Sequence, residues 1–249
     1  MKKSRYYPGK PSLRLIKEKQ QCEQCDTLPL CLNAWLDKES LSDIDQITVD
    51  RGTFQTGQAI YRMEDRFRSL FIVQSGSIKV ERVLENGIKH VNGFYLSGDL
   101  FGLDSIGNTL YGYDAIALET TRICEIPYDR LALLSSSIPR LQVMFISLLG
   151  NKVHQTNNRL IDTRYLSAES RLLLFLKGLC ERNLIQIKSN KGRLHLPMTK
   201  TDIAIYLGMR PESVSRALTN LQRQGVIRNN PKYIEITDIN AAMQAICKS

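Results

Sequence analysis

Residues 194–227, LHLPMTKTDIAIYLGMRPESVSRALTNLQRQGVI, have the layout of two short helices joined by a tight turn. Thr199 and Asp202 form a capping pair for the first helix, and Gly208 supplies the turn that ends it. Pro211 lies near the start of the second helix, where its missing N–H is harmless. The stretch therefore predicts a helix-turn-helix.

The segments on either side complete a larger unit. Residues 167–183, SAESRLLLFLKGLCERN, have the apolar content of a core helix. Downstream, Val226-Ile227 and residues 233–236 are β-favouring segments around Asn229-Asn230-Pro231, which is typical of a hairpin. We therefore predict a winged helix-turn-helix domain over residues 166–249.

The second helix of the motif carries polar residues on one face near its N-terminus. Glu212, Ser215 and Arg216 lie at positions i, i+3 and i+4. In a helix-turn-helix this end enters the major groove of DNA. There Glu accepts from cytosine, Arg forks onto guanine, and Ser serves either kind of partner. The plainer interpretation is a solvated face with a Glu–Arg pair, but the winged motif favours base reading.

Three further arginines flank this helix. We predict that they contact phosphates, which position a protein on DNA without carrying sequence information. They are Arg210, Arg223 and Arg228.

The chain of 249 residues is 43% hydrophobic and carries a formal net charge of +9. This charge favours a polyanionic partner such as nucleic acid. No apolar run is long enough to cross a bilayer. Residues 1–21 form a basic arm without the apolar stretch of a secretory signal, so we expect a cytoplasmic protein.

The region from residue 49 to 126 consists of short β-favouring segments punctuated by glycines, with Asn86-Gly87 as a strong hairpin turn. This pattern predicts an antiparallel sandwich or jelly roll. A short amphipathic helix over residues 36–47 precedes it. We assign residues 22–134 to this domain.

A long helical segment follows, from about residue 138 to residue 164. We predict that region 135–165 is a dimerisation helix, because it is longer than one small domain covers and its apolar stripe suits a partner helix. The alternative is a helix that packs on its own domain. The stripe consists of Leu141, Phe145, Leu148 and Lys152.

Residues 22–31, CEQCDTLPLC, place three thiols in a short loop with the spacing Cys-x2-Cys-x5-Cys. In a reducing compartment, clustered cysteines favour metal binding or redox chemistry over structural disulfides. Three thiolates leave a four-coordinate site one ligand short. The other cysteines of the chain are Cys124, Cys180 and Cys247.

Several kinds of site compete for this loop. A structural zinc site takes similar thiolates, but its usual signature is two Cys-x2-Cys pairs. A thiol–disulfide switch of Cys22 with Cys25 would leave Cys31 without a role. An enzyme is the weakest interpretation, because the histidines lack the spacing of a triad or a metal site. They are His90, His154 and His195.

In its order of cysteine loop, β-roll, long helix and winged helix-turn-helix, the chain resembles the CRP/FNR superfamily of bacterial transcription regulators, and its oxygen-sensing members most of all. The resemblance covers about residues 20–245. It depends on the Cys22–Cys31 spacing, on Cys124 in the segment ICEIPYDRL, and on the pattern Glu212-x2-Ser215-Arg216.

The resemblance implies an α+β fold with an N-terminal β-roll of the cyclic-nucleotide-binding type. It implies that Cys22, Cys25, Cys31 and Cys124 hold a [4Fe–4S] cluster, which oxygen converts to a [2Fe–2S] form and then destroys. With the cluster intact, such regulators form homodimers and bind palindromes of the type TTGAT-N4-ATCAA. They then activate or repress genes of anaerobic metabolism through RNA polymerase.

The same comparison argues against a cyclic nucleotide as the ligand. In the relatives that bind one, a Glu follows Phe-Gly, and an Arg-Ser or Arg-Thr pair comes several residues later. Here Phe101-Gly102 is followed by Leu103-Asp104-Ser105, and the continuation GNTLYGYDAIAL contains no Arg. A cyclic phosphate would therefore lack its bidentate partner.

Overall fold

The protein is described by a computed structural model. The described residues are 22–28, 31, 37–184, 192–230 and 233–237. The predicted basic arm, residues 1–21, and Cys247 lie outside them.

The N-terminal domain is a β-roll of two antiparallel four-stranded sheets. The strand orders are β1-β8-β3-β6 and β2-β7-β4-β5. The strands are β1 (Val49–Phe54), β2 (Ala59–Tyr61), β3 (Ser69–Ser75), β4 (Ser77–Val83), β5 (Lys89–Leu96), β6 (Leu100–Phe101), β7 (Asp114–Ala117) and β8 (Thr121–Pro127). The predicted jelly roll is therefore confirmed.

Aromatic side chains fill the space between the two sheets. The rings of Tyr61 and Tyr111 stack with centroids 3.9 Å apart, and Phe71 and Phe101 stack at 5.4 Å. The turn from β3 to β4 requires Gly76, because its φ is +84° and an added Cβ would lie 2.6 Å from the Thr120 carbonyl oxygen. The interior of the roll is a packed core.

Three helices lie against the sheet that contains β8. They are α1 (Lys38–Ile47), α2 (Tyr128–Ser137) and α3 (Pro139–Tyr165). Helix α1 begins where the Asp37 carboxylate accepts from the Ser40 amide at 2.9 Å. It buries Leu41 and Ile44, as the predicted amphipathic pattern requires. Among the described helices, none has both the length and the apolarity needed to span a bilayer.

The C-terminal domain is a winged helix-turn-helix. Its elements are α4 (Ala168–Leu184), β9 (Gly192–Leu194), α5 (Lys200–Leu207), α6 (Pro211–Arg223), β10 (Ile227–Asn230) and β11 (Tyr233–Ile236). The Thr199 hydroxyl accepts from the Asp202 amide at 3.0 Å, and Gly208 ends α5 with φ +63°. Strand β9, which pairs with β11, extends the predicted two-stranded wing by a third strand.

The two domains share packing. Val91 and Phe94 of β5 belong to the same buried cluster as the core of the winged domain. The Phe94 ring lies 5.8 Å from Phe175 of α4 and 5.2 Å from Tyr206 of α5. The α+β fold predicted from the sequence is confirmed, and its two halves are in direct contact.

Candidate metal centre and nucleic-acid interface

Four cysteines from two distant segments meet beside the sheet β1-β8-β3-β6 of the β-roll. Cys22, Cys25 and Cys124 line one small pocket. Cys31 is 8% exposed and lies in the same apolar cluster as Cys124. The structure therefore brings together the four cysteines that the family resemblance singled out.

Cys124 is fixed by its place in the sheet. Strand β8 runs between β1 and β3, so Cys124 has Asp50 as its register partner on one side and Ile72 on the other. It is half-buried. The remaining three cysteines approach this rigid position on the loop that precedes α1.

Hydrogen bonds at Cys22 and at Thr27 attach the loop to the domain. The Cys22 amide donates to Asp45 Oδ1 of α1 at 3.2 Å. The Thr27 hydroxyl donates to the Gln74 carbonyl of β3 at 3.0 Å. The Cys25 sulfur lies 3.0 Å from the Thr27 hydroxyl and 3.8 Å from the Gln74 side-chain amide. These contacts hold the loop beside Cys124.

The surroundings of Cys22 and Cys124 disfavour the ionisation of these two thiols. Burial raises the pKa of Cys124 to about 12, and the neighbouring Cys25 and Cys31 add to the effect. The pKa of Cys22 is also raised, by burial first and then by a hydrogen bond with Asp45. Thiols gathered in this way give up their protons when a metal replaces them.

The space between the thiols is small. The pocket has a volume of about 20 Å³, which is the room of a water molecule. Among the described residues, no group of three His, Cys, Asp or Glu side chains is arranged to hold a metal ion. To accept a group larger than a water, the loop must move outward from Cys124.

One ion pair adjoins this pocket. The Arg122 guanidinium donates to Asp50 Oδ2 at 2.5 Å, between β8 and β1. Asp50 lines the pocket, and the charge of Arg122 interacts with Cys124 and Cys25.

Cys180 does not belong to this group. It is fully buried in α4, within the core of the winged domain, and burial raises its pKa to about 11. Its interpretation as a core residue is confirmed.

Helix α6 divides into a buried face and an exposed face. Val214, Ala217, Leu218 and Leu221 are buried. Glu212 and Arg216 are exposed and Ser215 is half-buried, so the three predicted base-reading residues lie on the accessible side. In the described part of the chain, Glu212 and Arg216 form no ion pair with each other within 4.0 Å.

Other contacts fix the orientation of α6. Glu169 of α4 accepts from Asn220 at 2.7 Å and from Gln224 at 3.3 Å. The three arginines predicted to contact phosphates are all exposed, at the start of α6, at its end and on β10. They are Arg210, Arg223 and Arg228.

Two family models match the chain, one in each domain. A cyclic nucleotide-binding domain matches residues 51–137, and a Crp-like helix-turn-helix domain matches residues 170–242. Among solved structures, FixK2 from Bradyrhizobium japonicum has a TM-score of 0.71 at 21% identity, over 80% of this chain and 96% of that chain. This likeness establishes the fold.

Full-length relatives decide the family. The chain is 32% identical over 240 residues to the fumarate and nitrate reduction regulatory protein of Yersinia pestis, covering 94% of this chain and 96% of that protein. It is 33% identical over 223 residues to the anaerobic regulatory protein of Pasteurella multocida, covering 90% of this chain and 81% of that protein. The chain belongs to the fumarate and nitrate reduction regulator family.

In this member of the fumarate and nitrate reduction regulator family, the predicted dimer stripe of α3 faces its own domain. Leu141 is fully buried, and Phe145 and Leu148 pack on the apolar cluster that holds Cys31 and Cys124. Lys152 donates to the Tyr95 hydroxyl at 3.1 Å. These four residues contact their own domain within the single chain, and their assignment to a partner surface stays a prediction. Periodicity had grouped them properly, but the β-roll is what they pack against.

A different face of α3 is left exposed. Its apolar members are between 37% and 69% exposed. The first four are spaced by three, three and four residues, and the fifth follows seven residues later, which suits a helix pair. We call this face the outer stripe. It consists of Val143, Ile146, Leu149, Val153, Leu160 and Ile161.

Two long-range ion pairs of this family member were missed from the sequence. Asp50 pairs with Arg122 beside the thiols. Lys79 of the β-roll pairs with Asp202 of α5, which the sequence identified only as a capping residue. Charged residues far apart in the chain give no sequence signal that they will meet.

Proposed function

We propose that the protein is an oxygen-responsive transcription regulator of anaerobic metabolism. A [4Fe–4S] cluster on Cys22, Cys25, Cys31 and Cys124 would be its sensor. With the cluster, it forms a cytoplasmic homodimer that binds TTGAT-N4-ATCAA-type sites and acts on RNA polymerase as activator or repressor.

The donor set of the thiol site supports a cluster. A [4Fe–4S] cluster takes four cysteine thiolates, and four thiols from the loop and β8 lie together here. When bound, the cluster would supply chemistry that responds to oxygen. Asp45 and Thr27 hold the loop through hydrogen bonds. The loop would move outward to admit the cluster, while the sheet that carries Cys124 stays in place.

The observation that carries the proposal is the packing between the thiols and α3. Cys31 and Cys124 share one apolar cluster with Leu141, Phe145 and Leu148. A change in the loop therefore alters the surface on which α3 lies. Because the outer stripe is on another face of the same helix, the position of α3 would couple the thiol site to a partner subunit.

The exposed face of α6 supports DNA binding. Glu212, Ser215 and Arg216 lie on its accessible side, with exposed arginines around them. Two such helices in a homodimer would read the two halves of a palindrome. No cyclic nucleotide is involved in this proposal, because the segment after Phe101-Gly102 offers no Arg to a phosphate.

The proposal is tested by comparing two cysteine variants purified without oxygen. Cys124→Ser is expected to lose the iron and acid-labile sulfide while the β-roll stays folded. Cys180→Ser removes a more deeply buried thiol from the other domain and is expected to keep both iron and sulfide. A Cys124→Ser protein with full iron and sulfide, or a wild type with zinc alone, would overturn the cluster assignment.

A further inference from the structure

The Asp50–Arg122 ion pair adjoins the thiol site. Arg122 precedes Cys124 by two residues on β8, so both side chains lie on the same face of the strand. Asp50 is the register partner of Cys124 on β1 and lines the pocket. Both charges are therefore held by the sheet rather than by the loop.

We propose that this ion pair sets how readily a cluster on the four thiols loses an electron to dioxygen. The inference rests on the proposed function and deepens it. A bound cluster would supply one electron to dioxygen, giving superoxide, and Asp50 and Arg122 would form and break no bond in that transfer. Any effect of the pair is then electrostatic.

The two charges act in opposite directions. Four thiolates give a bound cluster a net negative charge, so a nearby cation stabilises the electron-rich state and a nearby anion destabilises it. The opposite electrostatic effects of Asp50 and Arg122 on a bound cluster nearly cancel. Removing either charge leaves the effect of the other uncompensated.

Single and double substitutions separate the charges. Arg122→Gln leaves the Asp50 carboxylate uncompensated, and we expect cluster loss in air to be about fivefold faster and the midpoint potential to fall. Asp50→Asn leaves the Arg122 cation uncompensated. We then expect cluster loss in air to be about fivefold slower and the midpoint potential to rise. The double variant is expected to return close to the wild type.

The measurements are made on full-length protein reconstituted without oxygen, with iron and sulfide assayed for each variant. Cluster loss is followed by visible absorbance after addition of air-saturated buffer, and the midpoint potential by redox titration. Work at low salt is required, because the side chains are 30% and 21% exposed and dissolved ions screen charges beyond about 10 Å at 0.1 M.

The Arg122→Lys variant tests whether the effect of Arg122→Gln is electrostatic or structural. Arg122→Lys keeps the charge without the guanidinium fork, and its rate is expected to stay within about twofold of the wild type. If both single variants shifted the potential in the same direction, or if Arg122→Lys behaved like Arg122→Gln, the inference would be overturned. A wild type that binds no cluster would instead overturn the proposed function, and this inference with it.

Discussion

Lys79 Nζ of β4 lies 2.8 Å from Asp202 Oδ1 of α5, which joins the β-roll to the first helix of the helix-turn-helix. The same ammonium lies 2.8 Å from Glu81 Oε2. Asp202 also accepts from the Thr199 hydroxyl at 2.8 Å. The N-terminal cap of α5 and the sheet β2-β7-β4-β5 are therefore linked through one carboxylate.

Substitution of Asp202 by Asn tests this link. The side chains of Lys79 and Asp202 are nearly buried, with exposed fractions of 13% and 11%. Loss of the charge is expected to lower the free energy of unfolding by about 1–3 kcal/mol. The measurement is chemical denaturation at neutral pH. Glu85→Gln, an exposed carboxylate on the β4–β5 hairpin, is the control and is expected to have no effect.

The contribution of the same pair should depend on pH in a defined way. Burial opposes ionisation of Asp202, but hydrogen bonds from Lys79 and Thr199 outweigh it and hold the pKa below the ordinary 3.8. The stabilisation is thus present above pH 3.8 and is lost as the pH falls through the lowered value. The pKa of Lys79 is raised above 10.5, so its share is lost only at higher pH.

The difference in unfolding free energy between wild type and Asp202→Asn is therefore expected to be constant from about pH 5 to pH 10, and to shrink below that range. A difference that grew on acidification would mean that Asp202 is protonated more easily in the folded protein than in the unfolded chain.

The outer stripe of α3 predicts where dimerisation can be broken. Ile146 is 69% exposed, the largest exposed fraction in this stripe. Ile146→Glu is expected to leave the protein monomeric even with iron and sulfide bound, since two carboxylates would meet across the helix pair. Sedimentation of anaerobic samples measures this. Asn151→Glu, an exposed position off the stripe, should remain dimeric; equal loss in both variants would place the interface elsewhere.

Arg216 and Arg210 differ in their predicted contacts with DNA. Arg216→Ala is expected to relax discrimination at one guanine in each half-site by about 1–3 kcal/mol. Arg210→Ala should weaken binding by a similar factor on every sequence and reduce its salt dependence. Binding to single-base variants of the palindrome separates the two. Uniform weakening by Arg216→Ala would identify it as a phosphate contact.

Local sequence signals predicted local structure well. Thr199 and Asp202 predicted the start of α5, and Gly208 predicted its end. Such signals are local because a cap and a left-handed turn each depend on residues close in the chain. Asn86-Gly87 likewise marked the β4–β5 hairpin. The third wing strand, β9, has only three residues, which is too short to show a period of two.

The sequence could not show which neighbour each surface would meet. The periodicity of α3 grouped Leu141, Phe145 and Leu148 correctly, yet both a partner helix and the β-roll would bury such a stripe. The Lys79–Asp202 pair spans 123 positions and the Asp50–Arg122 pair spans 72. Such contacts arise only when strands and helices are assembled, so they needed the structure.

The most direct test of the account follows the cluster and DNA binding in one sample. Protein purified without oxygen is assayed for iron and sulfide, and its visible spectrum and its affinity for a TTGAT-N4-ATCAA duplex are recorded before and during exposure to air. We expect about four irons and four sulfides per chain, with absorbance and DNA affinity falling together. A protein without iron and sulfide, or one whose DNA affinity survives loss of the cluster, would contradict it.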